Sequence, residues 1–527
     1  MSPSPQRVRN VGIGAALFLV AVALVAPMLA YPFGRDQGVF ACGADVLRRG
    51  GVLYRDFWDL KPPGIYYLYR LSFLLFGHSM PAPRIMDFIF TLATAAGLLL
   101  IGRRLMSLWA GVAAALAFLT RYALGFDYWH SAQGDGFASL FLTLAALAML
   151  AAERRRSWRL AALGGLLVGA AILLKFTLGV FLLIPLVVVA VGREEKWAPR
   201  LSRYAACLLG CGLVVGAAIA LVWRAGALRD MFEIIFTWNA QYATLRAAGL
   251  AAPVAQTWRF LFPGGHPLLS LIGLFALAGL VDLARRREAG AFRWLPTVWL
   301  GLMLAQVYLQ GKYFEYHWLP ALPPLALLAG AGVAAAWRLL RERSDSPGTA
   351  TGIAAAAAVV LLAALGAGYR DQFTPEIELA TGRISRAAFT DGFRDRQDFS
   401  LNADLQVATY LKQHTAPGSP VFIWGFEPII YFLADRPPAS RFISQQPLVT
   451  PWSPAGWREE LLRDLAGKRP AYILVVHNDV MPWVTLRPDD SAGELSQYPA
   501  LEQLLKRDYH PVETIEDFDI WQRGGGA

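Results

Sequence analysis

The sequence predicts a multi-pass α-helical membrane protein with a C-terminal α/β domain outside the bilayer. Three observations carry this. Charged residues make up 17% of the 527-residue chain and hydrophobic ones 56%, with a mean hydropathy of +0.40. Soluble globular chains carry about 25% charged residues. Eleven apolar runs approach the length of a spanning helix, which needs roughly 20 residues. From about residue 370 the chain gains charge and proline and has no such run.

The first run begins at Val11 behind MSPSPQRVRN and continues to about Ala30. It resembles a signal peptide, but it is too long for a signal h-region and is read as a retained membrane helix. The others lie near 83–101, 106–123, 135–151, 159–174, 177–192, 204–223, 267–283, 294–310, 318–337 and 351–369. The fifth and sixth runs of the eleven are short and join almost directly at Lys175. Orientation follows from basic residues in short loops, which favour the cytoplasm. With the N-terminus inside, the inside segments carry Arg7 and Arg9, Arg103 and Arg104, Arg154 to Arg156, Arg193, Lys196 and Arg200, Arg285 to Arg287, and Arg338, Arg341 and Arg343. Eleven spans then put the C-terminal region outside. The expected domains are a membrane domain over 1–369, with a long first outer loop at 32–82, and a soluble α/β domain over 370–527.

In the first outer loop Gln37–Arg48, ended by Gly50-Gly51, and Gly64–Phe76 read as interfacial helices, the second rich in the aromatics that favour the membrane boundary. In the C-terminal domain Leu401–His414 reads as a helix, Val421–Trp424 as a strand and Gly456–Ala466 as a helix stopped by Gly467. Ala471–Val476 reads as a buried strand and Phe518–Gln522 as a short one.

The net charge of +10 does not point to nucleic acid, because the basic residues sit in short clusters between apolar runs and form no separate basic stripe. Of three cysteines, Cys207 and Cys211 share a helix face as small packing residues and Cys42 has no evident partner. No disulfide framework or zinc spacing is present.

Chemistry-bearing residues collect on the predicted outer side. Asp36, in YPFGRDQGVF, stands just after the first span. It suits a general base acting on an acceptor hydroxyl, and equally an N-cap for a helix from Gln37. Lys61, in DFWDLKPPGIYYLY, is fixed by two prolines that open the next helix. It suits a lipid-linked phosphate or a lysine snorkelling to headgroups. Lys175, between two apolar runs, is either a functional intramembrane charge or the turn between spans. Asp127 and His130 suit a sugar or, weakly, a metal, and Asp135 suits a helix cap. Lys312, Tyr313, Glu315, Tyr316 and His317 form a polar–aromatic cluster suited to sugar and phosphate recognition, or to interfacial anchoring. Arg84 and Asp87 are placed to pair with each other. Lysines in short outer loops run against the positive-inside bias, so their common side calls for another reason.

Together these residues resemble the GT-C membrane glycosyltransferases, and most nearly the glycosyltransferase family 39 group, akin to protein O-mannosyltransferases and lipid A aminoarabinose transferases. The resemblance rests on Asp36-Gln37 after the first helix, the amphipathic first loop with Lys61-Pro62-Pro63, the Asp135 segment, Lys175, and Lys312–Pro324, and spans about residues 10–340. It implies a GT-C fold and transfer of a sugar from a polyprenyl-phosphate donor to an acceptor hydroxyl, with inversion. Transfer would occur at the outer face of a bacterial inner membrane, with the N-terminus cytoplasmic and the C-terminal domain periplasmic. It makes Asp36 the catalytic carboxylate and Lys61 a donor-phosphate contact, with Lys175, Lys312 and Arg84 as further ones. Asp127, His130, Asp135, Tyr313, Glu315 and His317 would face the sugar or acceptor. Protein, lipid and glycan acceptors all stay open. No cofactor is fixed and a divalent metal stays open, although Gln37 in place of a second acid weakens a site of paired carboxylates. No P-loop or dinucleotide fingerprint is present. The rival class is a transporter or lipid flippase, which should show repeated halves and midplane charges; the sequence shows no repeat, and its charges lie at one rim.

Overall fold

The computed structural model describes residues 5–191, 196–245, 251–285, 291–395 and 399–524. The topology signals Arg193, Arg286 and Arg287 lie outside them, as do the side chains of Arg7 and Arg9. Among the described residues eight helices are long and apolar enough to cross a membrane, by length and composition. They are Gly12–Ala30, Pro81–Leu105, Leu108–Gly125, Gly134–Arg155, Trp197–Arg224, Pro267–Arg285, Glu315–Arg343 and Pro347–Ala380. The runs expected at 159–174, 177–192 and 294–310 are helical but shorter: Trp158–Ile172, Phe176–Val187 and Leu295–Gln310. The first two are separated by a break in the helix at Leu173–Lys175. The protein is a multi-pass membrane protein.

The chain divides into two compact units. The first comprises Met1–Tyr31, Pro83–Ala217 and Arg246–Ile377. Its helices meet through small residues, as close backbone approach in an apolar medium requires. A Cβ on Gly165 would fall 1.8 Å from the Cys207 carbonyl oxygen, and one on Gly332 would fall 1.9 Å from that of Phe275. Cys207 and Cys211 are both buried, in keeping with the packing role expected of them.

The second unit comprises Pro32–Ala82, Ala218–Leu245 and Glu378–Ala527. The C-terminal region therefore shares its unit with the first loop and with a segment near 230. Its four-stranded sheet uses β3 (Phe422–Trp424), β4 (Tyr472–Val476), β6 (Phe518–Arg523) and β5 (Tyr509–Ile515), in that order. β3 and β4 run parallel, and the other pairs are antiparallel. A separate short pair, β1 (Arg394–Asp395) and β2 (Phe399–Ser400), precedes the Leu401–His414 helix. The helix expected to stop at Gly467 runs from Ala455 to Lys468 and ends on Arg469 in the left-handed region. One glycine in a helix is a modest cost that neighbouring packing overrides.

Candidate functional site

In the second unit the loop helix begins at Arg35, two residues before its expected start, and ends at Arg48. Gly34, extended, is its N-cap, and the Gln37 side chain accepts from the Gly34 N–H at 3.0 Å. Asp36 is thus not the cap that one reading made it. It lies in the first turn, where the helix dipole favours a carboxylate. From residue 31 to 47 every side chain is buried except that of Asp36, which is partly exposed. The fold hides the helix around this carboxylate and leaves the carboxylate itself reachable.

Lys61 enters the same neighbourhood from the following turn. Pro63 caps the Gly64–Phe76 helix, and the Tyr54 hydroxyl donates to the Lys61 carbonyl at 3.1 Å, pinning the backbone. The ammonium lies 5.8 Å from the centre of the Phe40 ring. Two groups that sequence reasoning did not single out share this field. Asp59 accepts a short hydrogen bond from Tyr66 and another from the Leu60 N–H at 2.7 Å. Burial pushes its carboxyl up to about 6, the negative charge of Asp36 adds to the rise, and Tyr66, Lys61 and the Leu60 N–H act against it. The Tyr242 hydroxyl is raised to about 12, chiefly by burial, with Lys61 lowering it and Asp36 raising it. Tyr242 follows a π-helical stretch, Glu233–Trp238, of the kind common at functional sites. The DFWDLK run held Asp59 in plain view two residues before Lys61. Tyr242 carries no motif, only the aromatic density of its segment.

In the first unit Lys175 pairs with Asp135 at 2.5 Å, their side chains 12% and 5% exposed. The cap of the Gly134–Arg155 helix is Gln133, so Asp135 is not the cap. It sits in the first turn and meets Lys175, whose ammonium also lies 5.8 Å from the Tyr316 ring centre. Asp127 and His130 are 2.7 Å apart, with Glu315 at 3.5 Å from the same ring nitrogen. Burial alone would raise Asp127, but His130 and the N–H groups of Trp129 and His130 hold it below the ordinary value. His317 is buried, and its carbonyl accepts from Gln306 at 3.2 Å. Tyr313 adopts a positive φ of 53°. Burial lowers Lys312 to about 8.

Arg84 is buried and donates to Ser131 at 2.7 Å and to the Tyr128 carbonyl at 2.9 Å, while Asp87 accepts from Tyr122. Arg84 therefore ties a spanning helix to the 126–133 loop. Among the described residues no group of three His, Cys, Asp or Glu side chains is placed to hold a metal ion.

Residues 60–223 match the family model described as dolichyl-phosphate-mannose-protein mannosyltransferase. No curated protein sequence matches the chain. Among solved structures, ArnT from Cupriavidus metallidurans bound to undecaprenyl phosphate is similar with a TM-score of 0.62 at 15% identity, covering 97% of this chain and 98% of that one. The archaeal oligosaccharyltransferase AglB from Archaeoglobus fulgidus, in complex with an inhibitory peptide and a dolichol-phosphate, is similar with a TM-score of 0.52 at 11% identity, covering 97% and 74%. The chain has the fold of the GT-C membrane glycosyltransferases, with a small C-terminal sheet domain.

Proposed function

We propose that this protein is a membrane glycosyltransferase that moves a sugar from a polyprenyl-phosphate donor to an acceptor hydroxyl, with inversion. The observation that carries the reading is Asp36, partly exposed where every other residue from 31 to 47 is buried, and within electrostatic range of the groups that also feel Lys61. The family match over 60–223 and the lipid phosphates held by ArnT and AglB support the donor class.

In this mechanism the acceptor oxygen attacks the anomeric carbon as its bond to the phosphate oxygen breaks. The sugar passes through an oxocarbenium-like state. Asp36 takes the acceptor's proton, and the bond electrons leave with the lipid phosphate, whose growing negative charge Lys61 offsets. Lys175, Lys312 and Arg84 are proposed as further phosphate contacts. Asp127, His130, Asp135, Tyr313, Glu315 and His317 are proposed as sugar or acceptor contacts. We place the protein in a bacterial inner membrane with the N-terminus cytoplasmic and the C-terminal region periplasmic, on the distribution of basic loops.

The test is transfer from radiolabelled polyprenyl-phosphate sugars by membranes holding wild-type, Asp36→Asn or Lys61→Ala protein at equal levels. Each substitution should lower transfer by at least about 100-fold, the scale of lost base or charge stabilisation. Equal transfer by all three would remove both residues from the mechanism.

A further inference from the structure

The residue before Asp36 points to how its carboxylate is held. Arg35 is 7% exposed and Glu427, in the C-terminal region, is 2% exposed. The Arg35 Nε donates to a Glu427 oxygen at 2.8 Å, and a terminal guanidinium nitrogen lies 2.6 Å from the same oxygen. The guanidinium lies 5.8 Å from the centre of the Phe399 ring and 5.9 Å from that of Phe426. A planar cation near two aromatic rings, bonded through two nitrogens to one carboxylate oxygen, has little freedom.

The next turn of the helix is fixed by shape. A Cβ on Gly38 would lie 2.8 Å from the backbone nitrogen of Ile429 and 2.9 Å from its Cα. The Phe33 ring, just ahead of the helix, lies 5.5 Å from that of Phe432. Residues 33, 35 and 38 therefore all seat on the same stretch of the C-terminal region, 426–432, and Asp36 stands among them. Asp404, also buried, feels both Glu427 and Arg35.

We infer that Arg35 and Glu427 are positioning residues for Asp36. The C-terminal region would then set the place of the carboxylate by clamping the residue beside it. The inference rests on the reading of Asp36 as the base. The pair sits one residue from the proposed base, where a displacement of about 1 Å can cost on the order of 100-fold in rate.

The experiment uses full-length protein purified in detergent, with the same lipid-linked sugar assay. The variants are Glu427→Gln, Glu427→Asp, Arg35→Lys, Asp36→Asn and, as a control, Leu461→Ala. Leu461 is buried in the Ala455–Lys468 helix, outside the 426–432 stretch, so its truncation loosens the region while keeping both members of the pair. Glu427→Gln and Arg35→Lys should lower kcat by roughly 10- to 100-fold with the donor KM within about twofold, because phosphate contacts are untouched. Glu427→Asp should recover part of the loss. Leu461→Ala should lower the thermal midpoint and leave kcat of the folded protein unchanged. Wild-type kcat in Glu427→Gln, or losses that track the thermal midpoint across all variants, would overturn the clamp. Full activity in Asp36→Asn would instead overturn the role of Asp36 as base.

Discussion

A lysine whose pKa falls to about 8 is a charge that ordinary buffers can remove. Burial lowers Lys312, because desolvation disfavours the ammonium. The sign is direct: the side chain is charged below about 8 and loses its charge as pH rises through that value. If Lys312 meets the donor phosphate, donor KM should rise between pH 7 and 9, and Lys312→Arg should keep it flat, since a guanidinium stays charged. A KM profile identical in wild type and Lys312→Arg would exclude that contact. Lys175 poses the opposite case, a charge already matched by Asp135. Breaking a buried ion pair by removing one partner costs about 3–5 kcal/mol. Lys175→Met and Asp135→Asn should each strongly lower the thermal midpoint, and the double variant should recover part of the loss. Additive losses in the double variant would show that the two residues act separately.

At the scale of elements, what the sequence revealed depended on how local the cause was. The Gly64–Phe76 and Leu401–His414 helices occupy the residues expected of them, because aromatic and apolar periodicity lies within the segment. The loop helix starts earlier than expected because Gly34 and Gln37 share its capping, an arrangement that Asp36, the more usual cap residue, conceals. β5 went unrecognised because Pro511 interrupts it. The strand tolerates that proline by lying at the sheet edge with a register shift between Pro511 and Glu513. Asp36 and Lys61 were legible as candidates because each sits in a distinctive local run. The environment of Asp59 and Tyr242 was not, since it arises from residues distant in sequence. Glycine in the spanning helices was equally silent about its role. Gly165 meets the Cys207 carbonyl oxygen closely, while Gly212 has open space at its Cβ position. Gly165→Ala should therefore force its helix and the Trp197–Arg224 helix apart and lower the thermal midpoint in detergent by several degrees. Gly212→Ala should leave it within a degree or raise it, helix propensity favouring alanine by about 1 kcal/mol. Equal effects at the two sites would show that this helix contact does not limit stability.

The whole molecule is assembled from interleaved stretches of chain, and this bears on whether its C-terminal part is a domain in its own right. The second unit combines 378–527 with 32–82 and 218–245, and its interior uses all three. Phe432 faces Phe33 and Phe73, with ring centres at 5.5 and 5.2 Å. Arg441, buried, reaches the Tyr54 carbonyl at 3.1 Å and Asp230 at 3.2 Å as well as Glu460 within its own stretch. Glu427 takes its partner from Arg35. A fragment of residues 378–527 would keep the sheet, whose four strands all lie within it, but would lose the apolar cover over Phe432, the Arg35 partner of Glu427 and part of the Arg441 environment. Unmatched buried charge favours opening or hydration of the surrounding structure. The isolated fragment should therefore show far-ultraviolet circular dichroism of mixed helix and strand but a weak near-ultraviolet signal, the pattern of secondary structure without fixed packing. In the full chain, amide exchange in β4 should be slow, and in the fragment fast. A fragment with a sharp near-ultraviolet spectrum and slow exchange in β4 would show that the sheet and its own helices suffice for the fold. The first loop would then be a passenger on an independent domain, and the Arg35–Glu427 pair would have to be explained by what it does for the loop rather than for the sheet.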